Sequence, residues 1–212
     1  MKKIYLISFF SFIIISSLSA EGFNVKAKGE QIFYFKADGR NQASFTSITP
    51  LDEVDGLTTQ ISGKVSFDVK NITNTLKGEI SLPTSSLQTG IALRDRDLKA
   101  PKWLDAERFP IISFKVKKVL NVKIISANKL KLEILGGFTL HGITNDVTVE
   151  AELTYLDESP QTEARAPGDL LGVTAKFSII LSKYGIQNTI LGKRVSDNIN
   201  INVNIVGSNK SL

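Results

Sequence analysis

Apolar and polar residues alternate one by one along most of the chain beyond residue 30. Such alternation is typical of β-strands with one buried face and one solvated face. The run ISGKVSFDV at residues 61–69 is the clearest case, and similar runs occupy residues 147–155, 173–181 and 199–205. Less regular alternation predicts further strands near residues 31–37, 43–49, 76–82, 111–119 and 129–141. The pattern therefore predicts an all-β protein with about nine strands.

The alternation fails in residues 84–109. Leu87, Ile91, Arg94 and Leu98 recur there at helical spacing. This spacing predicts one or two short helices that form a cap across an end of the sheet.

One-sided alternation leaves two architectures open, a two-sheet sandwich and a closed barrel. In a closed barrel the apolar faces point inward, and a large enough interior becomes a cavity. An outer-membrane barrel instead needs lipid-facing apolar residues and aromatic girdles. Only 8% of the residues are aromatic, and the chain ends Asn-Lys-Ser-Leu without an aromatic strand. The pattern disfavours the membrane barrel and does not decide between the other two.

The first 20 residues have the composition of a secretory signal peptide. Lys2 and Lys3 precede an apolar run at residues 4–15, and small and polar residues follow up to Ala20. This order predicts cleavage after Ser19 or Ala20. The expected product is a periplasmic or secreted single domain, residues 21–212, with no stable membrane insertion. The chain has no cysteine, which excludes a lipid-modified bacterial N-terminus.

Charge is spread along the chain instead of being concentrated in one region. The sequence has 26 basic and 21 acidic residues, for a net charge of +5. Basic residues such as Lys115, Lys117, Lys129 and Lys131 alternate with other residue types, as expected for solvated strand faces. The sequence therefore predicts no nucleic-acid site.

Few residues are suited to catalysis. Without cysteine, thiol chemistry and thiolate metal sites are excluded, and the single histidine, His141, excludes a multi-histidine metal site. His141 is interpreted as a turn residue bonded to backbone. The acids Asp95, Asp97 and Asp105 belong to a dense charged segment, which we interpret as pairing internally while Trp103 anchors the cap. The sequence predicts no catalytic, metal or cofactor site, and an enzyme would have to use His141 with these acids.

Three blocks of residues resemble a known family. They are LRDRDL with WLDAERFPIISF at 93–98 and 103–114, GFTLHGIT at 137–144, and FSIILSKYG at 177–185. In this order and separation they resemble the YceI-like family over roughly residues 40–206. Many relatives carry a histidine in an early F-x-(V/I)-x-H strand, whereas residues 45–51 of this chain have none.

The resemblance implies an eight-stranded, antiparallel, lipocalin-like barrel with a helical cap near residues 84–109. It also implies export, an elongated apolar cavity and a possible homodimer. The implied function is carriage or storage of a polyisoprenoid or another long-chain amphiphile such as a quinone or fatty acyl chain. The alternative is an envelope interaction or adhesin-type module with a dry core.

Strand parity supplies candidates for the wall of such a cavity. Residues that share the inward parity of their strands are expected to face the ligand, the phenylalanines first because of their large contact area. The candidates are Phe45, Val65, Phe67, Ile80, Phe114, Leu132, Phe138, Val149, Phe177 and Ile201.

Overall fold

The computed structural model describes residues 21–210. The predicted signal peptide, residues 1–20, lies outside the described residues. The ten β-strands of the described part are β1 (Glu30–Phe35), β2 (Gln42–Ile48), β3 (Glu53–Thr58), β4 (Ser62–Asp68), β5 (Lys77–Pro83), β6 (Ile111–Ser126), β7 (Lys129–Leu140), β8 (Ile143–Leu156), β9 (Leu170–Ile180) and β10 (Asn198–Ser208).

Helices in the described residues are short and lie between strands. The α-helices are α1 (Ile72–Thr75), α2 (Ala92–Lys99) and α3 (Pro160–Glu163), and two 3-10 helices cover Thr84–Ser86 and Leu181–Tyr184. The helix α2 and the first 3-10 helix fall inside residues 84–109. The predicted helical cap is therefore confirmed.

The strands form one antiparallel sheet that closes on itself. Its order is β1-β4-β5-β6-β7-β8-β9-β10-β2-β3, and an additional pairing between β1 and β10 closes the sheet. Because β1 and β2 both pair with the same edge of β10, they act as one interrupted strand. Strands β4 and β3 pair with β1 and β2 in the same way. The ten segments thus make an eight-stranded barrel, which confirms the predicted architecture and excludes the sandwich.

Charged residues on the outer face of the barrel form ion pairs between neighbouring strands. Lys131 Nζ lies 2.8 Å from a Glu150 carboxylate oxygen, and Lys129 Nζ lies 2.7 Å from a Glu152 oxygen. The Lys131 hydrogen bond lowers the pKa of Glu150. These pairs are exposed, so each stabilises the fold only slightly. They agree with the interpretation of these lysines as solvated strand faces.

Strand β3 was absent from the sequence prediction. Its sequence EVDGLT places Gly56 at an inward position, where alternation requires an apolar side chain. A Cβ at Gly56 would overlap the ring of Phe45 on the neighbouring strand β2. The phenyl ring therefore supplies the apolar volume that the β3 sequence lacks.

One end of the barrel is filled by aromatic rings. Phe33 and Phe67 are fully buried and stacked at 5.7 Å between ring centroids, and Tyr155 lies edge-on to Phe33 at 5.4 Å. Phe23, from the segment before β1, packs at 5.7 Å from Phe67 and is also fully buried. The segment leading into β1 thus closes this end of the barrel with a tightly packed plug.

Candidate ligand-binding cavity

The other half of the barrel encloses a cavity of about 630 Å³. The cap and the loop between β9 and β10 border it, together with inward residues of the barrel strands. Most of the lining side chains are aliphatic or aromatic. The interior therefore has two parts, a packed aromatic end and an apolar cavity.

The structure places eight of the ten candidate wall residues around this cavity. Those eight are Phe45, Val65, Ile80, Phe114, Phe138, Val149, Phe177 and Ile201. Phe67 and Leu132 do not border it, because they are 0% and 1% exposed in the packed end. Their inward parity is as expected, but their position along the barrel axis puts them in the closed core.

Several inward residues keep accessible surface because they face open space. Phe114, Phe177 and Ile201 are only partly buried although they point into the barrel. Val173 and Val203 behave in the same way and also border the cavity. A tightly packed core would bury all five. Their accessibility shows that the walls are held apart.

Small residues and glycines make the cavity wide. Ala151 on β8 and Ala175 on β9 are paired in register, and both border the cavity. Phe114 lies against Gly136 of β7, where an added Cβ would overlap its ring. The absence of a side chain at Gly136 lets this ring lie close to the wall instead of projecting into the cavity.

The mouth is covered by the predicted cap. Trp103 is 9% exposed and belongs to an apolar cluster with Leu104, Phe138 and Tyr184. Trp103 and Leu104 also border the cavity. The interpretation of Trp103 as the anchor of the cap is confirmed.

Polar groups are concentrated at the mouth. The charged residues that border the cavity are Asp52, Glu53, Arg94, Asp97 and Arg194. Their carboxylates and guanidinium groups come from the β2–β3 hairpin, helix α2 and the β9–β10 loop. The barrel therefore combines an apolar interior with a charged rim, the arrangement that suits an amphiphile.

Some charged side chains of the cap bond to other residues of the cap. The backbone N–H and the hydroxyl of Thr89 both donate to Asp95 Oδ1 at 2.6 Å. The hydroxyl bond, followed by the backbone bond, lowers the pKa of Asp95. Arg96 lies 3.7 Å from Asp97. Internal pairing of the charged segment is therefore confirmed only for Arg96 and Asp97, because Asp95 is bonded to Thr89 and no side-chain contact of Asp105 occurs among the described residues.

His141 lies in a turn and contacts a backbone carbonyl and an aromatic ring. It adopts a left-handed backbone conformation with φ of 50° at the β7–β8 turn. Its Nδ1 lies 3.0 Å from the Tyr184 carbonyl oxygen, and its ring contacts Phe109 at 4.4 Å between centroids. The interpretation of His141 as a turn residue bonded to backbone is confirmed. Among residues 21–210, no group of three acidic or histidine side chains is arranged to hold a metal ion.

Sequence reasoning missed part of the wall. Val173, Ala175 and Val203 border the cavity and share the parity of the candidates on their strands, so the signal was available. Ile190 and Val195 also border it, but they come from the β9–β10 loop, which has no periodicity. Only the folded path of this loop brings them to the mouth.

The barrel and its cap match a known domain family. The model of that family, the YceI-like domain, matches residues 33–207, which run from β1 to β10. The chain belongs to the YceI-like family. The resemblance carried by the blocks at 93–98, 103–114 and 137–144 is thereby confirmed.

Relatives of this YceI-like chain occur among bacterial proteins of the UPF0312 group. One from Vibrio parahaemolyticus is 33% identical over 105 residues, which make up 50% of this chain and 52% of that protein. One from Vibrio campbellii is 32% identical over 105 residues, which again make up 50% of this chain and 52% of that protein. The chain thus spans about half the length of the curated relatives it matches.

Solved structures share the fold of this YceI-like chain at low sequence identity. Burkholderia cenocepacia BcnA is 16% identical with a TM-score of 0.62, covering 81% of this chain and 98% of its own. A polyisoprenoid binding domain from Saccharophagus degradans is 11% identical with a TM-score of 0.60, covering 86% of this chain and 99% of its own. At these identities the likeness shows a common fold.

The sequence blocks of the YceI-like family surround the cavity mouth. LRDRDL begins just after the N-cap residue Ile91 and lies on α2, from which Arg94 and Leu98 border the cavity. WLDAERF supplies Trp103, and GFTLHGIT supplies Phe138 and the turn into β8. The segments by which the family is recognised therefore build and cover the entrance.

No helix within the described range is long and apolar enough to cross a membrane.

Proposed function

We propose that this protein binds and carries, or stores, a polyisoprenoid or another long-chain amphiphilic lipid inside the barrel. The observation that carries the proposal is the apolar cavity of about 630 Å³ with a charged mouth. The dry-core alternative, an adhesin-type module, requires a filled interior. The cavity favours carriage over that alternative.

The size of the cavity suits a lipid chain. A water molecule occupies about 30 Å³ in the liquid, and a methylene group is of similar size. The cavity therefore has room for on the order of twenty chain carbons. Burial of each methylene contributes about 0.8 kcal/mol, so a buried ten-carbon segment contributes about 8 kcal/mol before ordering costs. An apolar wall can thus hold such a chain without catalytic groups.

The ligand class is supported by the named neighbour. The Saccharophagus degradans protein of the same fold is described as a polyisoprenoid binding domain, and its likeness covers 86% of this chain. The apolar wall and the length estimate are compatible with the same class here. Quinones and fatty acyl chains satisfy the same physical requirements.

We further propose that the protein acts outside the cytoplasm and without catalysis. The N-terminal residues 1–20 have the charge and hydropathy order of a cleaved signal. His141 is held by the Tyr184 carbonyl and the Phe109 ring, which supports a structural role. The homodimer implied by the family resemblance stays a prediction that sedimentation velocity checks.

The test is to identify what the protein carries. The full chain, purified gently from bacterial envelope extracts, is examined by native mass spectrometry, and its organic extract by liquid chromatography and mass spectrometry. We expect a stoichiometric apolar compound, and we expect delipidated protein to bind the twenty-carbon alcohol geranylgeraniol. If preparations carry nothing and delipidated, folded protein binds neither geranylgeraniol nor a quinone nor a fatty acid, the proposed function is wrong.

A further inference from the structure

The guanidinium groups of two arginines at the cavity mouth have no contact partner among the described residues. Arg94 on α2 is half-buried, Arg194 lies in the β9–β10 loop, and both border the cavity. Within residues 21–210, neither guanidinium group makes a hydrogen bond or an ion pair with a carboxylate. By contrast, Arg96 pairs with Asp97 and Arg108 lies over the Phe109 ring. The two mouth arginines therefore remain available to a ligand.

The carboxylates near the mouth do not neutralise these arginines by contact. Asp97 is paired with Arg96, and the Asp95 carboxylate accepts two hydrogen bonds from Thr89. Asp52 and Glu53 also border the mouth, but both are exposed residues of the β2–β3 hairpin. Arg194 is exposed as well, so water and salt screen its attraction to these acids. Arg94 also interacts electrostatically with the Asp95 carboxylate, so what distinguishes the two guanidinium groups is that neither has a carboxylate in contact with it.

A buried hydroxyl that borders the cavity is bonded to the loop that carries Arg194. Ser47 is 2% exposed and borders the cavity, where its neighbours are apolar. Its Oγ accepts a hydrogen bond from the Ser196 backbone N–H at 2.9 Å, and Ser196 is two residues from Arg194. Because the oxygen is used as an acceptor, the hydroxyl hydrogen remains to be donated. No other hydrogen bond of this hydroxyl occurs in the described part of the chain.

We propose that the mouth binds the anionic head group of an amphiphile, a phosphate or a carboxylate, through Arg94 and Arg194. Ser47 contributes a neutral donor to the same head group. Guanidinium groups bind such oxyanions through paired, charge-assisted hydrogen bonds. The lipid chain then occupies the apolar cavity. This inference rests on the proposed carriage of a lipid and adds the charge of its head group.

The test compares two probes with the same chain and different heads. Binding of geranylgeranyl phosphate and of geranylgeraniol to the delipidated protein is measured by titration calorimetry. We expect the phosphate to bind at least about tenfold more tightly, since hydrogen bonds to a charged acceptor are roughly twice as strong as those between neutral groups. Arg94→Gln and Arg194→Gln should each remove most of that preference, measured in each variant as the ratio of the Kd for geranylgeraniol to the Kd for the phosphate.

Matched controls remove a nearby charge that does not border the cavity. Lys102→Gln is the control for Arg94→Gln, since Lys102 is an exposed residue of the same cap. Lys193→Gln is the control for Arg194→Gln, since Lys193 is the adjacent exposed residue. We expect both controls to keep the preference for phosphate. In addition, raising the salt concentration should weaken phosphate binding and spare the alcohol.

The outcomes separate this inference from the proposed function. If geranylgeraniol binds but the phosphate binds no better, the head-group site is refuted while carriage stands. If neither probe binds, and arachidic acid and a quinone do not bind either, carriage itself fails. Arachidic acid and its alcohol repeat the comparison for a carboxylate, and the head group with the larger preference over its alcohol is the chemistry that the mouth recognises. A preference that survives both arginine substitutions also overturns the inference.

Discussion

Filling the cavity from one strand should abolish lipid binding without unfolding the barrel. Ala175 lies on β9, borders the cavity and is paired in register with Ala151 and Val203. The substitution Ala175→Phe adds a phenyl ring at the position where two adjacent alanines widen the interior. The ring is expected to project into the cavity because the neighbouring strands leave space there.

The expected loss follows from the volume that the ring takes. A phenyl group occupies the space of roughly four chain methylenes, and each displaced methylene forfeits about 0.8 kcal/mol. The affinity for a twenty-carbon chain should therefore fall by about 3 kcal/mol, or roughly a hundredfold in Kd. The free protein should keep its stability, since the added ring buries apolar surface in existing space.

The assay is titration of delipidated protein with geranylgeraniol, followed by calorimetry. Thr174→Phe is the matched control, because Thr174 is the preceding residue of the same strand and is exposed on the outer face. The control adds the same ring outside the barrel and should bind the alcohol as the original protein does. Far-ultraviolet circular dichroism and thermal unfolding establish that both variants are folded.

One result would refute this reasoning. If the folded Ala175→Phe protein binds geranylgeraniol with unchanged affinity, the chain does not occupy the space beside Ala175. The apolar cavity would then not be the ligand site, whatever the family resemblance implies. Equal losses in Ala175→Phe and Thr174→Phe would also contradict it, because the outer face does not border the cavity.

Three further substitutions test the parts of the barrel. Gly136→Ala should push the Phe114 ring into the cavity, destabilise the fold by about 1–3 kcal/mol and weaken lipid binding in calorimetry. Phe67→Ala should cost about 3–5 kcal/mol in urea unfolding and leave lipid affinity unchanged, since Phe67 belongs to the packed end. Tyr155→Phe should cost about 1.5–3 kcal/mol at neutral pH, because the Tyr155 hydroxyl donates to Asp169 at 2.6 Å. Burial, and next this hydrogen bond, raise the pKa of Tyr155 above its ordinary value of 10.0, so its stabilising effect is complete below pH 10 and declines as the pH rises further.

Each of these expectations has a contrary outcome. Lipid affinity that is unchanged in Gly136→Ala would show that the Phe114 ring does not limit the cavity. A large loss of affinity in folded Phe67→Ala would place the ligand in the end that the structure shows as packed. For Tyr155, identical stability curves of the original and the Tyr155→Phe protein between pH 7 and pH 11 would show that the buried hydroxyl contributes nothing.

Local patterns were enough to predict most of the strands and their inward faces. Alternation in β4, β8, β9 and β10 follows directly from the two-residue repeat of a strand, whatever the neighbouring strands are. The same rule failed for β3, because Gly56 has no side chain and is covered by Phe45 from another strand. It also missed the plug: Phe23, Val25 and Ala27 alternate with polar residues before β1, but the segment forms no strand, and alternation does not show that it closes the end of the barrel.

The sequence by itself determined that the protein is all-β, that its strands have one apolar face, and that few of its residues are suited to catalysis. Only the tertiary structure decided which inward residues border a cavity. Phe67 and Phe177 have the same parity, yet Phe67 is packed under Phe23 and Phe177 borders open space. Parity records the side of the sheet on which a residue lies. The position of a residue along the barrel axis, and the width of the interior at that position, depend on how the sheet closes and on side chains from distant strands. A local sequence repeat contains neither kind of information.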